Sequence, residues 1–400
     1  MPLFIHRSAI KILSTTLLLF LTACQQVPVT QEQQLAGLLL LQDNEFQPIT
    51  TPVETEEQIF ALPHTVVEQA RQQVLAYQFA DERSLALLTF IFGSDGDPLE
   101  YVNNATLTAT DTYQKKQANC LSLTILAYSL AQQLGFDAYF QDVDVPEYWV
   151  TRSGNSMLNG HVNLMIYPIK ISSSIQQIVV LRNNGYLIDF DMAPQRAKQQ
   201  AQRISEQTIV AMFYNNKAAD AMMNNQYDLA YHYLKAAIAK APQLAQNWNN
   251  LAVLYRKKEL LTQAEQVYLY SLRLEPEHTN TMSNLAMLYE LTGRVQEAAV
   301  LDAKVAKKRL SNPYFFIMQG NEALERHEAD DAIKHFRRSL KLQPHVPEAY
   351  FGLARSYLLK QDLVKASGYL QTAKRYSDSA TEQRRYQYKL DMLNAVAKQD

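Results

Sequence analysis

The strongest hydrophobic pattern lies in the C-terminal half, where the chain repeats itself with a step of 34 residues. Alanine recurs at Ala230, Ala264, Ala298, Ala332 and Ala366, and a small residue at Ala218, Ala252, Ala286, Gly320 and Ala354. Large apolar side chains keep the same step at Tyr214, Trp248, Met282, Phe316 and Tyr350. Small positions let paired antiparallel helices approach, large ones fill the space between them, and Pro242, Pro276 and Pro344 stop the second helix of three repeats. The pattern predicts five helix pairs over 211–380. A polar-rich helix over 381–400 solvates the end of the stack, with Tyr386, Leu390, Leu393 and Val396 turned inward. The third repeat departs from the others: Asp302 stands where a large apolar residue is usual, and Leu310 replaces proline.

The middle of the chain has a different texture. Val66, Val67, Ala70 and Val74 form a helical face, Ser84–Phe92 continues as an apolar helix, and Gly93–Pro98 breaks it as a turn. Asn119, Cys120 and Leu121 open a third apolar helix that runs through Leu126 and Leu130 to a stop at Gly135. Strand patterns follow at Asp137–Val145, Gly160–Tyr167, Ile178–Leu181 and Tyr186–Asp191, with Asn183-Asn184-Gly185 as a hairpin turn. A connecting helix is expected over 201–210.

This order places Cys120 in the first turn of a helix, His161 at the start of a strand, and Asp189 or Asp191 at the end of a later one. A helix N-terminus favours thiolate over thiol, an imidazole can take the proton and return it to a leaving group, and a carboxylate fixes the imidazole tautomer. Tyr148 and Trp149 precede His161 and could wall an acyl pocket.

The N-terminus carries an address. His6, Arg7 and Lys11 precede an apolar run from Ile12 to Leu21, too short to span a bilayer. Residues 24–58 are rich in Gln, Thr, Glu and Pro and read as a tether, with a short helix at Leu35–Leu41.

Composition narrows the function classes. Thirty-eight Lys and Arg against 40 Asp and Glu offer no global polycation, so a nucleic-acid partner is not expected. Two cysteines exclude a disulfide framework, and neither CxxC nor HExxH is present, so no metal and no cofactor is expected.

Three resemblances rest on these residues. Leu21-Thr22-Ala23-Cys24 resembles a bacterial lipobox, which implies a signal peptide over 1–23 and a lipid on Cys24. With Gln25 next, and if the cell is Gram-negative, it implies an outer-membrane lipoprotein facing the periplasm. The 34-residue repeats resemble tetratricopeptide repeats. That family implies a concave groove lined here by Asn215, Asn249, Arg256, Asn280, Met287, Tyr314, Asn321, Phe351 and Arg355, among others, suited to a protein or peptide partner. Residues 59–200 resemble the transglutaminase-like superfamily, a papain-type thiol fold. Asn119-Cys120, Leu134-Gly135-Phe136, His161 and Leu187-Ile188-Asp189 carry that likeness.

The expected architecture is therefore an α+β transglutaminase-like domain followed by an all-α repeat solenoid. The thiol-fold resemblance implies a membrane-anchored enzyme acting on amide or ester bonds by Cys120-His161-Asp189 acyl transfer, as hydrolase or transamidase, with Asp191 as alternative third member. The alternative is a non-catalytic scaffold or assembly lipoprotein whose repeats bind proteins.

Overall fold

The computed structural model describes residues 36–50, 52–93, 98–143, 149–152, 155–158, 161–167, 185–188, 201–377 and 380–396. Three helices open the first half, α1 (Glu56–Phe60), α2 (His64–Val74) and α3 (Ala80–Phe92). Thr55 starts α1 with a capping box: its hydroxyl accepts from Gln58 N while Gln58 Oε1 accepts from Thr55 N. A short parallel pair, β1 (Glu100–Tyr101) and β2 (Gln117–Ala118), brackets α4 (Ala109–Lys115).

Next comes α5 (Cys120–Gln133), whose apolar residues are buried on nearly every side. Asn119 caps it by accepting from Ser122 N at 2.9 Å, and Gly135 ends it in the left-handed region at φ 80°. The strands are β3 (Asp137–Val143), β4 (Trp149–Arg152), β5 (Asn155–Leu158), β6 (His161–Tyr167), β7 (Tyr186–Ile188) and β8 (Ala201–Ile204). Four of them form an antiparallel sheet in the order β7-β6-β3-β8, and α5 lies across β6 and β3. The β4–β5 pair is a separate hairpin inserted just before β6.

β8 corrects the helix expected over 201–210. Ala201–Ile204 pairs along the edge of β3, with Ile204 opposite Phe140, and helix begins only beyond Ser205, whose side chain accepts from Thr208 N. An available strand edge offers every backbone group of that segment a partner before the helix can start.

The second half is a run of helix pairs: α6 (Glu206–Met223) with α7 (Tyr227–Lys240), α8 (Ala245–Lys257) with α9 (Leu261–Leu274), and α10 (Thr279–Leu291) with α11 (Val295–Arg309). Then follow α12 (Pro313–Glu325) with α13 (Ala329–Leu342), α14 (Pro347–Leu359) with α15 (Leu363–Tyr376), and a terminal α16 (Ala380–Val396). The turn inside each pair puts one residue at positive φ in the same place of every repeat: Asn225, Glu259, Gly293, His327 and Gln361. Small positions act as the spacing implied. A Cβ at Gly320 or Gly352 would run into the ring of Phe336, which is fully buried between them.

One apolar core runs from the first half into the repeats, through Ile59, Leu126, Leu164, Phe213, Trp248 and Leu285 to Ala298. Phe46 belongs to it, and this corrects the tether expected over 24–58 in its described part, which from Leu38 onward is a strap bound to the repeats. The Phe46 ring stacks on Tyr231 of α7 at 4.0 Å and lies 6.0 Å from Tyr255 of α8, with Lys258 Nζ 4.8 Å above its face. Tyr255 donates its hydroxyl to Leu40 O and accepts from Gln42 N, both at 3.0 Å. Asp43 accepts from Tyr231 at 2.8 Å and from Lys235 at 2.7 Å, which together hold its carboxyl below the ordinary value of 3.8. Glu54 accepts from Tyr233, and Glu56 pairs with Lys240. The polar composition that suggested a solvated leash supplies instead the partners of a tyrosine- and lysine-rich helix face.

Candidate functional site

Two places carry chemistry. The first is the face formed by the leading helices of the repeat pairs. Asn250 Nδ2 donates to Asn215 Oδ1, Asn249 Nδ2 to Asn250 Oδ1, and Asn284 Nδ2 to Asn249 Oδ1, each at 3.0 Å. These bonds link α6, α8 and α10 into one ladder of side-chain amides, to which Gln246 adds a 3.2 Å donation to Asn250. Asn215 and Asn249 are buried, and Asn250 and Asn284 half-buried. An amide both donates and accepts, so a ladder with fixed orientation is suited to an extended backbone, which does the same. Sequence reasoning missed Asn250 and Asn284, although Asn216, Asn250 and Asn284 recur at the repeat step.

The other residues expected to line the groove divide by repeat. Arg256 is half-buried beside the buried hydroxyl of Tyr268. Burial pushes that phenol up to about 12, with Arg256 pulling the other way. Asn280 is half-buried and Met287 exposed. In the last two repeats the amide positions are taken by Ile317, Met318, Phe351 and Gly352. Tyr314 and Phe351 are half-buried, and Arg355 donates to Asn321 at 3.1 Å, joining α14 to α12. Phe351 lies 5.4 Å from the Tyr386 ring, with Arg385 and Lys389 5.8 and 5.6 Å from its face.

The second place is the junction of α5 and β6. Cys120 is the first residue of α5, half-buried and not in a disulfide. Asn119, beneath it, donates to Thr106 at 3.1 Å, and Ser122 donates to Ala105 O at 2.6 Å, so the first turn is held by the loop before it. Thr124, one turn on, donates to Cys120 O at 2.7 Å, and its hydroxyl lies 3.5 Å from Val162 O. The start of α5 is thus seated against the start of β6, where His161 is buried opposite Val143. Asp189 and Asp191, Cys24 with its leader, and Tyr148 fall outside the described residues. Among the described residues no group of three or more His, Cys, Asp or Glu is placed to hold a metal ion.

The helix pairs are tetratricopeptide repeats: residues 215–279 and 317–380 match the family model of that name. No curated protein matches the chain. Among solved structures it is similar to pilF of Pseudomonas aeruginosa, at 14% identity over 49% of this chain and 93% of that one, with a TM-score of 0.27. It is also similar to TTC0263, a thermophilic repeat protein of Thermus thermophilus, at 18% identity over 44% and 97% with a TM-score of 0.26. A MamA protein aligns at 16% identity over 42% and 91%, with a TM-score of 0.24. Likeness at this level says nothing of what the chain binds.

Proposed function

We propose that the protein is an interaction scaffold whose repeat groove holds an extended segment of a protein partner. The observation that carries this reading is the amide ladder Asn215–Asn250–Asn249–Asn284, oriented by bonds between successive leading helices. Arg355, Phe351 and Tyr314 supply side-chain specificity farther along. A photo-crosslinking residue at Met287 or Leu358, both exposed groove positions, should yield adducts in cells, while one at Val300 or Val364, exposed on trailing helices, should not. Equal labelling from both sets, or none from the groove, rejects the reading. Asn250→Ala should weaken the groove adducts, since it removes the central rung. Anchoring through a lipid on Cys24, with the protein facing the periplasm, belongs to the same proposal and is tested by acyl labelling of the wild type against Cys24→Ser.

A second reading is favoured by the seating of Cys120 against the start of β6. In it the first half is a transglutaminase-like thiol domain. Cys120 would attack an amide or ester carbonyl, His161 would act as base and then acid, and Asp189 or Asp191 would orient the imidazole. Alkylation of Cys120 that stays fast well below the ordinary thiol pKa of about 8.5, and slows in His161→Ala, supports it. Ordinary thiol titration unchanged by the variant removes it and leaves the scaffold.

A further inference from the structure

The repeat step continues without interruption from Tyr214 to Tyr350, yet the packing does not. α7 packs on α8, α9 on α10, α13 on α14 and α15 on α16, each trailing helix meeting the leading helix of the next unit. α11 packs on α10 and scarcely touches α12. The leading helices behave in the same way: α6 meets α8, α8 meets α10 and α12 meets α14, whereas α10 and α12 stay apart. The large core ends at Ala298 and Leu301, and a separate, smaller one starts at Ile317.

The side chains at the repeat's interface positions account for the gap. Where α8, α10 and α14 carry Leu251 with Leu254, Leu285 with Leu288, and Leu353 with Ser356, all buried, α12 carries half-buried Gln319 and Glu322. The aromatic that follows, Tyr255, Tyr289 or Tyr357, is Ala323 in α12. On the opposite side, the trailing-helix position held by buried Leu234, Tyr268, Phe336 and Leu370 is exposed Asp302. α12 therefore resembles α6, the first helix of the array, which has Lys217, Asp220 and Ala221 at the same three places. Burying Asp302, Gln319 and Glu322 against one another would remove polar groups from water without matched partners, so both faces stay hydrated. Arg309 lies with its guanidinium 6.0 Å from the Phe315 ring, and the backbone of β4 approaches α12.

We infer that the array is articulated at Leu310–Asn312. Among the described residues, those from 38 to 309 outside the β4–β5 hairpin form one body and 313–396 a second, and the groove is carried in two parts whose mutual angle is free to change. The amide ladder lies wholly in the first part and the aromatic positions Tyr314 and Phe351 in the second, so bending alters the distance between two chemically different halves of the same groove. Domain interfaces that are neither large nor apolar leave such relative motion as the default.

The test uses one position exposed in each of the last four repeats: Lys257, Leu291, Glu325 and Leu359. In the full chain with Cys24→Ser and Cys120→Ser, spin-label pairs are placed as Lys257→Cys with Leu291→Cys, Leu291→Cys with Glu325→Cys, and Glu325→Cys with Leu359→Cys. The distance distribution of the middle pair should be about twice as wide as those of the outer two, as expected where only that joint lacks an apolar interface. Equal widths for all three pairs overturn the inference. Adding Asp302→Leu, Gln319→Leu and Glu322→Leu should narrow the middle distribution to the outer width. If that variant does not fold by circular dichroism, the comparison of the three native pairs decides alone.

Discussion

The first three repeats and the last two are written in the same sequence code and behave as different objects. Repeats one to three share a core with the mixed domain, and the first two are also bound by the strap, so the fold there is continuous over most of the chain. Repeats four and five rest on two small clusters and on α16. What separates the two regions is three side chains at an interface, because the intra-repeat positions that make each helix pair are intact on both sides. In a solenoid, stability is a sum of repeat and neighbour terms, and here one neighbour term is missing while every repeat term is present.

The comparison can be broken from either side. Trp248 is almost fully buried, edge-on to Tyr270 and donating to Pro242 O, and in the second body Phe336 is fully buried between Gly320 and Gly352. Either replaced by alanine should cost about 3–5 kcal/mol. Hydrogen exchange should place the loss of Trp248→Ala in α6–α11 and that of Phe336→Ala in α12–α16. A loss that spreads evenly over all helices from either variant would show one cooperative unit. Phe46→Ala should cost about 3 kcal/mol, and limited proteolysis should then cut between residues 38 and 55, with no change in exchange beyond α12. Gly352→Ala should destabilise the second body alone by about 1–3 kcal/mol through overpacking against Phe336.

The smallest effect is electrostatic. Asp43 is held below 3.8 by Lys235 and Tyr231. A lowered carboxyl contributes its full stabilisation above the unfolded-state value and loses it as pH falls through the folded-state value. Strap protection against proteolysis should therefore be constant from neutral pH down to about 4 and weaken below it. Asp43→Asn should flatten that dependence. As the group is largely exposed, the change should be slight.

Much of this molecule is legible in its sequence where periodicity carries the signal. The helix pairs, the buried helix opening at Cys120, the stop at Gly135 and the strands at Asp137 and His161 all follow from spacing, because each buries a regular face. The strap is not legible, since its binding rests on one aromatic, Phe46, and on carboxylates whose tyrosine and lysine partners lie more than 150 residues away. β8 escapes for a related reason: only the free edge of β3 makes a strand of Ala201–Ile204. The joint is half visible. Asp302 and Leu310 mark the third repeat as irregular, but the gap needs Gln319 and Glu322 as well, and these look ordinary until aligned with the leucines of their neighbours. At the candidate sites, the seating of α5 on β6 follows from the order of elements, while the amide ladder depends on bonds between neighbouring asparagines that spacing alone does not disclose.

The strap also decides how the molecule would carry a load. It runs from the second repeat back to the first, held in turn by Tyr255, Tyr231, Asp228 and Tyr233 before it enters α1. Tension applied to the chain upstream of Leu38 would act along this line, so the contacts share the force in shear instead of opening one by one as in peeling. The grip lies on the body that holds the ladder, and along the chain the second body is joined to it at Leu310–Asn312, beyond the strap's last contact.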